Sequence, residues 1–220
     1  MRDRALLIAA TFVAALTLAA GAALVWSLWR RPSGAPALIE ATIGRTRLAM
    51  SADYARFEAD RAGGPLDRLD LAARFPEFTP AGRPDSRPGG EPGGRDERLI
   101  FVTLTPEDGA LDPAERPVRL YARFLDATVW THPGGLLMRR FQPNTPYAGE
   151  ELYIAPPEGR AFFARCPTPG AAGDGLPDFC FTEMRAAGLA LQVRFAPALL
   201  SEWERVAEGV RALLRQIARP

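Results

Sequence analysis

The sequence predicts an α+β protein: an N-terminal transmembrane helix, then one domain with an antiparallel sheet covered by a C-terminal amphipathic helix. Three observations support this prediction. Residues 5–29 carry no charge, short apolar segments separated by Gly and Pro fill the middle of the chain, and an apolar stripe recurs at helical spacing near the C-terminus. We therefore expect a tail and anchor at 1–31, a linker at 32–36 and a single domain at 37–220.

The uncharged segment at 5–29 is long enough to cross a lipid bilayer. As a helix it would span roughly 37 Å, whereas the hydrocarbon layer is about 30 Å thick. Trp26 and Trp29 lie at its far end, where indole rings favour the headgroup zone, and Pro32 ends the helix. The alternative is a cleaved signal peptide, because small residues at 19–22 offer a cleavage site, although the apolar run continues beyond them.

The sequence gives only a weak signal for the orientation of the anchor in the membrane. Arg2 and Arg4 precede the span and Arg30 and Arg31 follow it, so the distribution of positive charge discriminates little between the two orientations. A short basic tail before a large C-terminal domain is typical of a signal anchor. The prediction is a single-pass protein of the bacterial inner membrane with a periplasmic domain.

Cys166 and Cys180 are the two cysteines of the chain. In an oxidising compartment, such a pair flanking a Gly/Pro-rich loop predicts a disulfide, which would stabilise the fold by about 3 kcal/mol in the chain-entropy model. A cytoplasmic domain with free thiols is the alternative. A zinc site would need ligands that a chain with one histidine barely supplies.

Five segments of the domain have the composition of strands, and together they predict an antiparallel sheet of about five to seven strands. The segment 99–104 is apolar throughout and is expected to be a central strand. The segment 120–125 fits both a strand and a helix, and we favour the strand. Turn residues at 132–135 predict a hairpin, and 79–97 predicts a disordered Pro/Gly-rich loop. The predicted strands are 38–50, with a bulge at Gly44, 99–104, 120–125, 151–155 and 189–195.

The C-terminal segment has the clearest helical pattern after the anchor. Its apolar residues recur at spacings of three and four and form one stripe, while charged residues occupy the opposite side. We expect this helix to cover the sheet. The stripe consists of Leu199, Trp203, Val206, Val210, Leu213 and Ile217.

Composition excludes several chemistries. All 27 basic residues are arginine, so mechanisms that need a lysine, such as Schiff-base, Ser-Lys and P-loop chemistry, are excluded. The net charge is +1 at pH 7, which argues against nucleic acid as a partner. His132 is the single histidine, and it lies in a Pro-Gly-Gly turn without a nucleophile motif nearby. We expect no cofactor and no metal.

The segment 136–153 is the candidate interaction surface. It mixes arginines, carboxylates and aromatic side chains, and arginine and tyrosine are common hot-spot residues at protein interfaces. An amphipathic strand with a solvated arginine face is the alternative explanation. The candidate residues are Arg139, Arg140, Tyr147, Glu150 and Glu151.

The segments YARFLDATVWTHPGGLLMRRF, GEELYIAPPEGRAFFARC and LALQVRFAPALLSEWERV, together with the anchor, carry a family resemblance. The chain resembles uncharacterised single-pass membrane-anchored proteins of GC-rich alphaproteobacteria. The resemblance covers most of the domain. It implies a membrane-anchored envelope protein but no activity and no functional residues.

These features predict a membrane-anchored, periplasmic, non-enzymatic protein that binds another envelope protein or has a structural role. Its expected contacts are the lipid bilayer, through residues 5–29, and a protein partner. The alternative is an envelope hydrolase that uses converging carboxylates, or His132 with a hydroxyl. Sequence alone does not show whether carboxylates such as Glu150 and Glu151 converge.

Overall fold

The computed structural model describes residues 37–82, 96–169 and 178–219. The predicted anchor at 5–29 and most of the predicted loop at 79–97 lie outside these residues. Across the three described ranges, no helix is long and apolar enough to cross a membrane. The chain from residue 38 onward forms one compact unit.

The described residues form two sheets. The larger has nine strands, all antiparallel, in the order β5-β4-β6-β12-β11-β10-β9-β8-β7. The smaller has four strands in the order β13-β2-β1-β3, of which only β1 and β3 are parallel. The strands are β1 Leu38–Ile43, β2 Thr46–Ser51, β3 Gly64–Leu66, β4 Leu69–Arg74, β5 Thr79–Pro80, β6 Leu99–Pro106, β7 Trp130–His132, β8 Leu136–Arg140, β9 Glu150–Ile154, β10 Phe163–Pro167, β11 Cys180–Ala186, β12 Leu189–Phe195 and β13 Ala218–Arg219.

Alternation along the strands builds the core. In β12 every second residue is buried, and the residues between them are half-buried or exposed. Strand β6 alternates in the same way except at Thr103, which is also buried, and lies between β4 and β12, as expected for a central strand. The nine-stranded sheet therefore has an inner face in the core and an outer face on the other side. The inner residues of these two strands are Ile100, Val102, Leu104, Leu189, Leu191, Val193 and Phe195.

The C-terminal helix α1, Trp203–Ile217, confirms the predicted amphipathic helix. A 3-10 turn at Pro197–Glu202 leads into it. The apolar face of α1 joins one core with the inner faces of both sheets, so the helix covers the sheet as the stripe predicted. Its buried residues are Val206, Ala207, Val210, Leu213, Leu214 and Ile217.

Cys166 and Cys180 form a disulfide between adjacent strands β10 and β11. Both cysteines are buried, with 3% and 0% of their surface exposed. The neighbouring residues Arg165 and Phe181 are directly paired across the same two strands. The disulfide therefore fixes the register of β10 against β11.

The strand predicted at 120–125 is wrong. Residues 120–124 belong to two consecutive helical turns, Pro117–Tyr121 and Ala122–Phe124, and Leu125 follows them with an isolated bridge to Phe141. The turns carry Tyr121 and Leu125 into a second apolar cluster on the outer face, with Phe141, Leu152 and Phe163. Since the apolar spacing fits a helix as well as a strand, packing against the sheet decides the outcome.

Two further predictions need correction. The segment 38–50 is not one strand but the hairpin β1–β2, because Gly44 has a φ of +58° and lies in the turn rather than in a bulge. The sheet is larger than the five to seven strands expected. At 79–80 the predicted loop begins instead with β5, which pairs with the end of β4.

Gly209→Ala is expected to destabilise the fold, although alanine favours helices over glycine by about 1 kcal/mol. A Cβ at position 209 would lie 1.9 Å from the ring of Phe78, which is 6% exposed and cannot turn away into solvent. Overpacking of this kind costs about 1–3 kcal/mol, and urea unfolding would measure the loss. The control is Gln216→Ala on the exposed side of α1, which should change stability by less than about 0.5 kcal/mol. A Gly209→Ala protein more stable than wild type would contradict the packing described.

Candidate interaction surface

Four side chains form a row across the outer face of the nine-stranded sheet. Phe101 on β6 pairs with Arg194 on β12, Arg194 pairs with Phe181 on β11, and Phe181 pairs with Arg165 on β10. Directly paired residues share one face of a sheet, and all four are half-buried. We call these four residues the arginine–aromatic row.

Stacking orders the two ends of the row. The guanidinium of Arg56 lies 4.6 Å from the ring centroid of Phe101, and Phe179 contacts the same ring edge-on at 5.6 Å between centroids. At the other end, the Arg165 guanidinium lies 5.3 Å from the centroid of Phe181. Cation–π contacts of this kind contribute about 0.5–1 kcal/mol each when exposed. They hold the arginines flat against the sheet.

Several arginines of the outer face have carboxylate partners, whereas Arg56 and Arg194 do not. Arg165 donates to Glu150 at 2.7 Å, and Arg116 forms an ion pair with Glu183. By contrast, neither Arg56 nor Arg194 forms a hydrogen bond through its side chain or an ion pair with any other residue in the described ranges. The row therefore contains positive charge that these residues do not neutralise by contact.

Asp70 is the buried carboxylate beside the row, with 5% of its surface exposed. Arg68 donates to both of its oxygens, at 2.6 and 2.9 Å, and the Thr103 hydroxyl donates at 2.6 Å. Burial raises the pKa of Asp70, but the hydrogen bonds from Arg68 and Thr103 and the charges of Arg68 and Arg194 outweigh it, so this pKa lies below its ordinary value.

Asp60 accepts a hydrogen bond from the backbone N–H of Asp70 at 3.3 Å. Burial, together with the negative charge of Asp70, raises the pKa of Asp60 above its ordinary value. The two carboxylates are therefore occupied by groups of this chain and do not contact Arg194 directly.

A cavity of about 390 Å³ opens beside Phe101 and Phe179 at one end of the row. Apolar side chains, including Leu99 and Pro197, form part of its wall, and carboxylates such as Asp178 form the rest. One oxygen of Asp178 is buried without a hydrogen-bond partner. The cavity extends the surface of the row toward the start of β6 at Leu99.

The structure places two of the predicted surface residues on the inner face of the sheet. Arg140 and Glu151 are directly paired, and Arg140 Nε donates to Glu151 at 3.2 Å. Glu151 is only 3% exposed and also accepts from the Tyr153 hydroxyl at 2.8 Å. Burial, together with the hydrogen bond to Glu151 and its charge, raises the pKa of Tyr153 well above its ordinary value. Arg140 in turn stacks on Trp130, with its guanidinium 5.2 Å from the ring centroid.

The other three predicted residues lie on the outer side. Arg139 donates to the backbone carbonyl of Asp126 at 2.9 Å. Glu150 binds Arg165, whose guanidinium also lies 5.1 Å from the ring centroid of Tyr147. The five candidates therefore divide between two faces instead of forming one surface, and only Glu150 and Tyr147 join the end of the row.

Sequence reasoning missed Arg56, Phe101, Phe181 and Arg194. A usable signal was present, because alternation in 189–195 assigns Arg194 to the face opposite the buried residues. The pairing of Arg194 with phenylalanines of two other strands depends on the register between distant segments. Alternation within one segment does not reveal that register.

The residues proposed for the alternative hydrolase have ordinary partners. His132 Nδ1 lies 2.9 Å from the Pro133 carbonyl oxygen, and its ring packs edge-on against Tyr153 at 5.0 Å between centroids. Glu150 and Glu151 lie on opposite faces of β9 and do not converge. In the described ranges, no group of three or more His, Cys, Asp or Glu side chains is arranged to hold a metal ion.

No family model matches the chain, and no curated protein matches its sequence. Among solved structures, the immunity protein Smlt3025 of the Stenotrophomonas maltophilia type IV secretion system is similar, with a TM-score of 0.61 and 16% identity over 87% of this chain and 98% of that protein. The iron-regulated outer membrane lipoprotein FrpD of Neisseria meningitidis gives a TM-score of 0.46 and 11% identity, over 81% of this chain and 91% of that one. The likeness to the immunity protein shows a shared fold.

Asp70→Asn is expected to lower the free energy of unfolding at pH 7 by about 2 kcal/mol, because hydrogen bonds to a charged group contribute about 1.5–3 kcal/mol. The pKa of Asp70 is lowered by folding. Its stabilisation is therefore complete above the unfolded pKa of about 3.9 and is lost as the pH falls through the folded pKa. Urea unfolding between pH 3 and 7 should show the two proteins converging below about pH 4. The exposed Asp67→Asn is the control, and a difference that is equal at every pH would contradict the assigned role.

Proposed function

We propose that this chain is a non-enzymatic component of the bacterial envelope that binds another protein. Residues 5–29 would tether it to the inner membrane, with its domain in the periplasm. The observation that carries the proposal is the arginine–aromatic row on the outer face of the sheet. It combines half-buried aromatic area with Arg194, and Arg56 lies against Phe101 at its end; neither arginine has an ion pair in the described ranges.

The shape and chemistry of this face suit a protein partner. Small-molecule sites are usually concave and enclose most of the ligand, whereas the row extends across four adjacent strands of a sheet. Arginine and aromatic residues are enriched among the residues that dominate binding energy at protein interfaces. The stacked arginines are already ordered in the folded domain, so less conformational entropy would be lost on binding.

The shared fold supports the proposal by analogy. The immunity protein with the TM-score of 0.61 belongs to a type IV secretion system. One fold can host unrelated functions, so the analogy supports a protective or partner-binding role without assigning it. Support for partner binding comes from the residues of the row, and the shared fold adds only the analogy.

The disulfide supports a location outside the cytoplasm. Cys166 and Cys180 are bonded, and such bonds persist in oxidising compartments such as the periplasm. The uncharged segment at 5–29 supports a membrane tether, since its length suits a bilayer. The two features together favour a periplasmic domain on an inner-membrane anchor.

Site-specific photo-crosslinking tests the binding role. Gln192 is exposed on β12 and lies on the outer face beside Arg194. A photoreactive amino acid at this position, in the full-length protein in its own cells, is expected to give one crosslinked species of defined mass. The control places the same amino acid at Glu204, which is exposed on α1 on the opposite side of the sheet.

Mass spectrometry then identifies the captured protein. A single protein captured at Gln192 and absent at Glu204 would agree with the proposal. Equal capture of the same proteins at both positions, or capture at neither, would contradict it.

The redox state of the cysteines in living cells tests the proposed location. Cells are quenched in acid, denatured and treated with a polyethylene-glycol maleimide, with or without prior reduction. The periplasmic domain is expected to gain mass only after reduction, because both thiols are in the disulfide. The control lacks residues 1–36, stays in the cytoplasm and should react without reduction. Labelling of the full-length protein without reductant would show that its domain faces the cytoplasm.

A further inference from the structure

We infer that the partner presents carboxylate side chains, set among apolar ones, to the arginine–aromatic row, with Arg56 and Arg194 binding the carboxylates beside Phe101. This inference rests on the proposed function, because it names the chemistry of the partner at the same surface. It is carried by the charges and contacts around these two arginines.

Arg194 occupies the centre of the row. It is half-buried and is paired across the sheet with Phe101 on one side and Phe181 on the other. No acceptor in the described ranges takes a hydrogen bond from its guanidinium. None of its nitrogens is among the buried side-chain atoms without a partner, so its donors reach solvent in the free protein. A partner that covered them would have to supply an acceptor. A carboxylate is the acceptor whose geometry matches that planar group best.

Arg56 extends the same positive charge to the edge of the sheet. Its guanidinium stacks 4.6 Å from the centroid of Phe101 and 5.1 Å from that of Phe57. Stacking uses the face of the guanidinium and leaves its N–H groups free at the rim. The Phe57 side chain is 47% exposed, so it offers an apolar contact next to these donors.

Three carboxylates near the row, Asp70, Glu150 and Glu183, are bound by other groups of this chain. Arg68 and Thr103 bind both oxygens of Asp70. Glu150 binds Arg165, and Glu183 binds Arg116. Asp70 interacts with Arg194 only through its charge, and Asp178, which has one buried oxygen without a hydrogen-bond partner, forms no ion pair with either arginine. A carboxylate in direct contact with Arg56 or Arg194 would therefore come from another molecule.

Spacing within the row requires apolar groups next to the carboxylates. Adjacent strands lie about 4.8 Å apart, and Arg194 has Phe101 and Phe181 as its direct partners on the two neighbouring strands. An acidic segment without apolar side chains would cover these rings poorly. An extended segment whose acidic and apolar residues alternate at every second position carries both kinds of side chain on one face, and so satisfies both kinds of group along one line.

The experiment uses the full-length protein in detergent and three fluorescein-labelled peptides: Phe-Ser-Glu-Ser-Phe-Ser-Glu-Ser-Phe, whose Phe and Glu side chains share one face of an extended strand, the same peptide with Gln in place of Glu, and the same peptide with Lys. Fluorescence anisotropy measures binding. The Glu peptide is expected to bind at least ten times more tightly than the Gln peptide, and the Lys peptide is expected not to bind. Arg194→Gln and Arg56→Gln should each weaken binding of the Glu peptide at least tenfold.

Two controls separate charge from folding. Arg160→Gln changes an exposed arginine that pairs with Glu158 in the turn after β9, and it should leave binding unchanged. Arg194→Lys keeps the charge but loses the planar fork, so it should restore part of the affinity. Unfolding by urea shows whether each variant is folded at the temperature of the measurement.

Equal affinities of the Glu and Gln peptides would overturn the inference, as would equal losses in Arg160→Gln and Arg194→Gln. If the Gln192 crosslink still captures a partner in that case, the proposed function stands and only the chemistry assigned to the partner is wrong. If no partner is captured at Gln192, the proposed function itself fails.

Discussion

One shared core constrains the whole domain. The inner faces of both sheets and the apolar face of α1 bury one another, and burial of apolar area is the main source of stability. Every strand of the large sheet must therefore send alternate residues inward. The outer residues of β6, β11 and β12 are released from that requirement, and this freedom allows polar and aromatic side chains to form a row there.

The disulfide connects the alternation required by the core with the arginine–aromatic row on the outer face. Cys166 and Cys180 face the core, and their chain neighbours Arg165 and Phe181 face outward as a direct pair. A slip of one residue between β10 and β11 would break the bond and send each outer residue inward. The disulfide therefore fixes the positions of Arg165 and Phe181, which are half of the row, as well as the ends of the loop that it closes. The helical turns at Pro117–Tyr121 and Ala122–Phe124 cover the outer face beyond it, so the row ends where the second apolar cluster begins.

Periodicity predicted the parts of the fold that local pattern decides. The stripe of α1 and the alternation of 189–195 each extend far enough to favour one structure. The segment 120–125 does not favour one structure, because its apolar positions fit both the helical period and the strand period. The packing of Tyr121 decides between the two. The candidate surface residues were chosen as one contiguous stretch, yet neighbours such as Glu150 and Glu151 point to opposite faces of β9.

The order of residues along the row also bears on selectivity. A purely aromatic face would bind any apolar surface and would favour aggregation. With arginines between the rings, an apolar partner that lacks carboxylates would bury Arg194 without an acceptor, and that cost acts against it. A carboxylate-bearing partner removes the cost and gains charge-assisted hydrogen bonds. The aromatic residues would then supply most of the affinity, and the arginines would determine which protein is bound.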